Sequence, residues 1–72
     1  MTLLGEYLLK KSINKAEVSR KTGISTPRLS ELSNKGNAKL RMDEMYLIAM
    51  AIDVDPCEML TELCKDLRLS GV

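Results

Sequence analysis

Apolar positions recur at three- and four-residue intervals along most of the chain, the period of amphipathic helices rather than of strands. Leu4 and Leu8, with Lys11 one turn on and Tyr7 beside them, predict a first helix from Thr2 or Leu3 to about Lys11. A break at Ser12 and Ile13 precedes Asn14-Lys15-Ala16-Glu17, which fits a capping box opening a second helix from Lys15 to Thr22. Gly23 stops that helix, because the left-handed conformation past a helix end is nearly free only for glycine. Ser25 or Thr26 caps a third helix with Pro27 at or near its first position, ending near Asn34 to Gly36. A polar, basic loop from Lys35 to Arg41 follows.

Leu40 or Met42 leads into a fourth helix with Met45, Ile48, Ala49 and Ile52 at core spacing, ending abruptly at Asp53. Asp55-Pro56-Cys57-Glu58 reads as a second capping box and starts a fifth helix, about 56–69, carrying Met59, Leu60, Leu63, Cys64 and Leu67. The expected fold is all-α, a single five-helix domain spanning 1–72 without repeat or linker.

At 72 residues with Tyr7 and Tyr46 as the only aromatics, a β-sandwich or barrel is disfavoured against a core of Leu, Met and Ala. Met42, Met45, Met50 and Met59 are expected mainly as core filling. The longest apolar run, Met45 to Ile52, is far short of the roughly 20 residues of a membrane span, and no signal-peptide pattern opens the chain. A soluble, cytoplasmic protein is expected. Cys57 and Cys64 lie seven apart in one predicted helix, too far along its axis to bridge each other, and are expected as reduced thiols. With no histidine and no glycine-rich phosphate loop, neither a metal site, a cofactor nor an enzyme is expected.

The net charge of +1 conceals a dipole along the sequence. Residues 1–41 hold nine basic side chains against three acidic ones, +6, whereas residues 42–72 hold two against seven, −5. A basic half suits a polyanion.

The spacings within about 14–36 meet the packing demands of a helix-turn-helix: Val18, Ile24, Leu29 and Leu32 form one small core, and Ser19 lets the helices approach. With Leu29 and Leu32 turned inward, about 100° per residue sends Thr26, Pro27, Glu31 and Asn34 outward, flanked by Arg28, Ser30 and Lys35.

In these pieces the chain resembles the lambda repressor and Cro type of helix-turn-helix regulators, the xenobiotic response element family. The matching segments are Ile13 to Val18, Thr22 to Ser25, Arg28 to Leu32, Asn34 to Gly36, Leu47 to Asp55 and Glu58 to Leu60, in order. The resemblance implies that Thr26, Pro27 and Glu31 face base edges. It implies phosphate contacts from Asn14, Lys15, Ser25, Arg28, Asn34 and Lys35, with Lys39 and Arg41 in a loop that follows the backbone or minor groove. Lys15 replaces the usual glutamine, Thr22 replaces an apolar residue and either weakens packing or caps its helix, and Pro27 offers only apolar contact. Glu31 either accepts from a cytosine amine or pairs with Arg28 or Lys35 and orients them.

The expected activity is sequence-specific binding of double-stranded DNA by a phage, prophage or bacterial repressor, with a near-palindromic operator bound by a homodimer. Leu60, Leu63 and Leu67 form either the dimer face or the last part of the core. An alternative is an antitoxin whose acidic half covers a toxin protein while its basic half binds operator DNA, and a third is a helical scaffold without DNA binding. No membrane or small-molecule substrate is expected.

Overall fold

The computed structural model describes residues 1–71. It contains five helices, α1 (Leu3–Lys10), α2 (Lys15–Thr22), α3 (Thr26–Asn34), α4 (Met42–Ala51) and α5 (Pro56–Leu63), and no strand among the described residues. None of these helices is long and apolar enough to cross a membrane.

Local chemistry sets the boundaries. Thr2 Oγ1 accepts from Gly5 N–H at the start of α1, and Asn14 Oδ1 accepts from Ala16 and Glu17 N–H at 2.9 and 3.2 Å at the start of α2. Only half of the expected Asn14–Glu17 capping box forms, because the Glu17 carboxylate turns to Arg20 on the exposed face. Gly23 closes α2 at φ +81°, and Ser25 opens α3 by accepting from Arg28 N–H with Pro27 in the first turn. At α4 it is Glu44, three residues past the Arg41 cap, that reaches back to the Arg41 N–H at 3.0 Å.

Helices α1 and α4 both end in a 6→1 and 5→2 hydrogen-bond pair around a left-handed residue. In α1 the Ile13 and Ser12 N–H groups donate to Leu8 and Leu9, with Ser12 at φ +56°; in α4 Val54 and Asp53 donate to Ala49 and Met50, with Asp53 at φ +64°. These are the breaks expected at Ser12 and Asp53, made without the glycine that such a position favours.

α1 packs on α3 and α5, α2 on α3 and α4, and α4 on α5, so the helices close a ring around one core. That core holds Leu4, Tyr7, Leu8, Val18, Leu29, Leu32, Met45, Ile48, Ala49 and Met59, with Ile24, Leu40 and Leu63 packed against it. Each fully buried side chain of this size contributes roughly 1.5–3 kcal/mol. Met42 and Met50 are 84% and 58% exposed, so only two of the four methionines expected inside are there.

The fifth helix is shorter than the expected 56–69. It ends at Leu63, and residues 64–66 form a turn in which Leu67 N–H donates to Cys64. Leu67 and Leu69, 71% and 79% exposed, meet no core surface, so no burial supports propagation of the helix that far.

Candidate nucleic-acid interface

The orientation of α3 follows from what it buries. Leu29, Leu32 and Ser33 are 0%, 3% and 1% exposed, which turns Thr26, Pro27, Ser30 and Asn34 to solvent and leaves Arg28 and Glu31 half-buried at the flank. The end of the helix is tied from outside the motif. Thr2 Oγ1 donates to the Leu32 carbonyl at 2.7 Å and Thr2 N–H to the Ser33 carbonyl at 2.9 Å, satisfying two acceptors that a helix C-terminus leaves open.

The turn between α2 and α3 is also internally bonded. Thr22 Oγ1 donates to Val18 carbonyl at 2.8 Å and accepts from Ile24 N–H at 3.1 Å. Of the two roles open to Thr22, the structure shows the capping one. Ile24 packs against the core beside Val18, Leu29 and Leu32, the cluster expected from their spacing.

The polar residues expected at the interface fall into two groups. Lys15, Lys35 and Lys39 form no ion pair among the described residues, and their ammonium groups are available to an anionic partner. Ser25 and Asn14 use an oxygen for capping while keeping a donor, and Asn34 Nδ2 donates to the Ser30 carbonyl at 3.0 Å. Arg41 pairs with Asp43 at 2.9 Å on an exposed surface, where such a pair contributes little and exchanges readily.

Arg28 is differently placed. Its Nε donates to Glu44 Oε2 at 2.9 Å, Nη2 to Glu44 Oε1 at 3.1 Å and to the Lys39 carbonyl at 2.9 Å, and Nη1 to Glu31 Oε1 at 2.6 Å. Four of its five N–H donors thus serve α4, the 35–41 loop and α3 itself. The phosphate role expected of Arg28 competes with this network. Of the partners considered for Glu31, the structure shows Arg28 and not Lys35.

Glu44 anchors the network and was not among the expected site residues. Its side chain is 7% exposed, and the Arg28 guanidinium, opposed by burial and helped by the Arg41 N–H, holds its carboxyl below the usual carboxylate range. Arg28 is correspondingly pushed above the ordinary arginine value, first by Glu44 and then by Glu31. The capping position of Glu44 is visible in the sequence, but its partner lies sixteen residues upstream and carries no local signature.

Next to Arg41, which also lines it, Leu40, Met42, Met45, Tyr46, Leu60, Leu63 and Cys64 form a largely apolar groove of about 650 Å³ between α4 and α5. Of the expected dimer face, Leu60 is 47% exposed on this groove, Leu63 is partly buried against the core, and Leu67 lies beyond the helix end. Among the described residues Arg41 is the one charged side chain on the groove's lining, whereas Glu62 and Lys65 lie toward α1, beside Leu3, Glu6, Tyr7 and Lys10.

The family model for the Cro/C1-type HTH DNA-binding domain matches residues 4–62 of the chain. No curated protein and no solved structure gave a match.

Proposed function

Because the chain belongs to the Cro/C1-type helix-turn-helix DNA-binding family, we propose that it is a sequence-specific transcriptional regulator, of the phage, prophage or bacterial repressor kind, that reads the major groove with α3. It would act in the cytoplasm, where its operator is. The observation that carries this is the exposed first turn and outer face of α3, turned to solvent by Leu29 and Leu32, together with Lys15, Lys35 and Lys39, which form no ion pair among the described residues. In this reading Thr26 and Pro27 meet base edges, Pro27 by apolar contact with a thymine methyl, and Glu31 accepts from a base amine. Asn14, Lys15, Ser25, Asn34, Lys35, Lys39 and Arg41 contact phosphates and supply the salt-dependent affinity.

One module of this size covers only about 600–1,000 Å² of protein surface on DNA, too little for tight selective binding alone. A homodimer supplies the rest. The groove between α4 and α5 supports a second copy as the occupant, because it is apolar and leaves Met42, Tyr46 and Leu60 exposed in one patch that a symmetric partner would cover. Two recognition helices about 34 Å apart then meet a near-palindromic operator.

Selection of binding sites from a random duplex pool by the purified protein tests the proposal. Enrichment of a near-palindrome with half-sites about one helical turn apart is the expected result. Recovery of the unenriched pool, together with no salt-dependent affinity for any duplex, rejects it, and a protein that is monomeric alone and dimerises only with a toxin partner supports the antitoxin reading instead.

A further inference from the structure

We propose that Arg28 is the positioning residue for a base-reading carboxylate: clamped to Glu44 and the Lys39 carbonyl, it holds Glu31 ready to accept from a base exocyclic amine and is not itself a phosphate anchor. The proposal deepens the major-groove reading of α3 and rests on it.

The anchor end of the clamp is fixed. Glu44 engages Arg28 through both oxygens, at 2.9 and 3.1 Å, in the two-point geometry that only a guanidinium offers. Glu44 Oε1 also accepts the Arg41 N–H at the start of α4, so the carboxylate has no freedom to follow Arg28 elsewhere. For Arg28 to reach a phosphate it would take the two-point partner from a buried carboxylate and leave it only the Arg41 N–H at 3.0 Å and the Arg41 guanidinium at 3.9 Å, a costly way to break such a pair. Its guanidinium is therefore spent on the fold and on Glu31.

The working end is open. The Glu31 side chain is 43% exposed, its Oε1 is held by Arg28 Nη1 at 2.6 Å, and its Oε2 accepts no hydrogen bond among the described residues. A bare glutamate facing DNA is repelled by the phosphates and has several rotamers to lose. Paired to Arg28 one turn earlier on the same helix face, it arrives with part of its charge offset and one oxygen already placed. The second oxygen is left as the acceptor that a cytosine amine in the major groove requires. Arg28 also binds the Lys39 carbonyl, so the same clamp sets where the basic 35–41 loop lies relative to α3.

The test compares base preference, salt dependence and thermal melting for wild type, Glu31→Gln, Glu44→Gln, Arg28→Lys, Arg28→Met and the Glu31→Gln/Glu44→Gln double variant, using a selected operator and single-base-pair variants of it. Glu31→Gln and Arg28→Lys are each expected to lower preference at one shared base pair roughly tenfold, while Arg28→Met leaves the salt slope at the wild-type value. The double variant should lose no more preference than Glu31→Gln alone, because both changes act on one contact. A slope flattened by about 0.9 in Arg28→Met, with base preference intact, would show a phosphate anchor and overturn the proposal. Equal overturning comes from Arg28→Lys, which does not depend on Glu44→Gln folding, if it binds with the full wild-type preference. Wild type that binds no duplex sinks the major-groove reading itself, an outcome distinct from both.

Discussion

Gly5 of α1 lies against the main-chain carbonyl of Ser33 at the end of α3, so closely that a β-carbon on residue 5 would overlap the carbonyl oxygen. The obstacle is backbone, which has no rotamer to escape into. Gly5→Ala gains helix propensity of about 1 kcal/mol but forces α1 off α3, an overpacking that costs typically 1–3 kcal/mol. A net loss of stability is expected in urea unfolding, together with weakened DNA binding because Thr2 no longer reaches Leu32 and Ser33. Unchanged stability would mean that the two helices do not meet this closely.

Acid should expose the Glu44 clamp. Its folded-state pKa lies below the unfolded value of about 4.3, so its contribution is fully present above that pH and is lost as pH falls through the folded value. Wild type should lose stability below about pH 4.3, and the difference between wild type and Glu44→Gln should shrink over the same interval. A difference independent of pH from 6 down to 3 would contradict the pairing. Glu17 and Asp43 are shifted in the same direction but lie in solvent, where such pairs add little.

Ser12 and Asp53 occupy left-handed positions at the ends of α1 and α4. A side chain there costs roughly 1–2 kcal/mol that glycine avoids, offset in part by the greater freedom of glycine when unfolded. Ser12→Gly and Asp53→Gly are each expected to raise stability by about 0.5 kcal/mol, read as an increased denaturation midpoint with unchanged slope. A fall in the midpoint at either site would show a favourable side-chain contact outweighing the strain.

Lys15 and Lys39 carry ammonium groups that no acidic side chain among the described residues engages. Lys15→Ala and Lys39→Ala should each weaken binding to every duplex alike and flatten the dependence of log K on log salt by about 0.9. Wild-type slopes in both variants would remove them from the interface.

Leu60 stands half-exposed on the α4–α5 groove, outside the core that fixes α3. Leu60→Glu should leave thermal stability at low concentration nearly unchanged while converting a dimer to a monomer by light scattering, with a steep loss of operator affinity. Dimer mass retained in this variant would place the contact on another face.

Much of the helix-turn-helix was legible because its determinants are local. Asn14, Gly23, Ser25 and Pro27 act within three or four residues of themselves, so the bounds of α2 and α3 match those expected from the residues alone, as does the inward turn of Leu29 and Leu32. The fifth helix was overextended for the opposite reason. Leu67 and Leu69 continue an apolar pattern, but a pattern becomes helix only where something buries it.

The chain's own residue order therefore determined the five-helix class, the helix-turn-helix segment and the separation of charge into two halves, since periodicity and capping operate over single turns. Tertiary structure decided how that segment is held and armed: Thr2 and Gly5 reach its end from 28 to 31 positions away, and Glu44 takes Arg28 from sixteen away. No short-range rule specifies those pairings. They exist because packing brings distant backbone and charge within hydrogen-bond reach, where a buried carboxylate requires a partner.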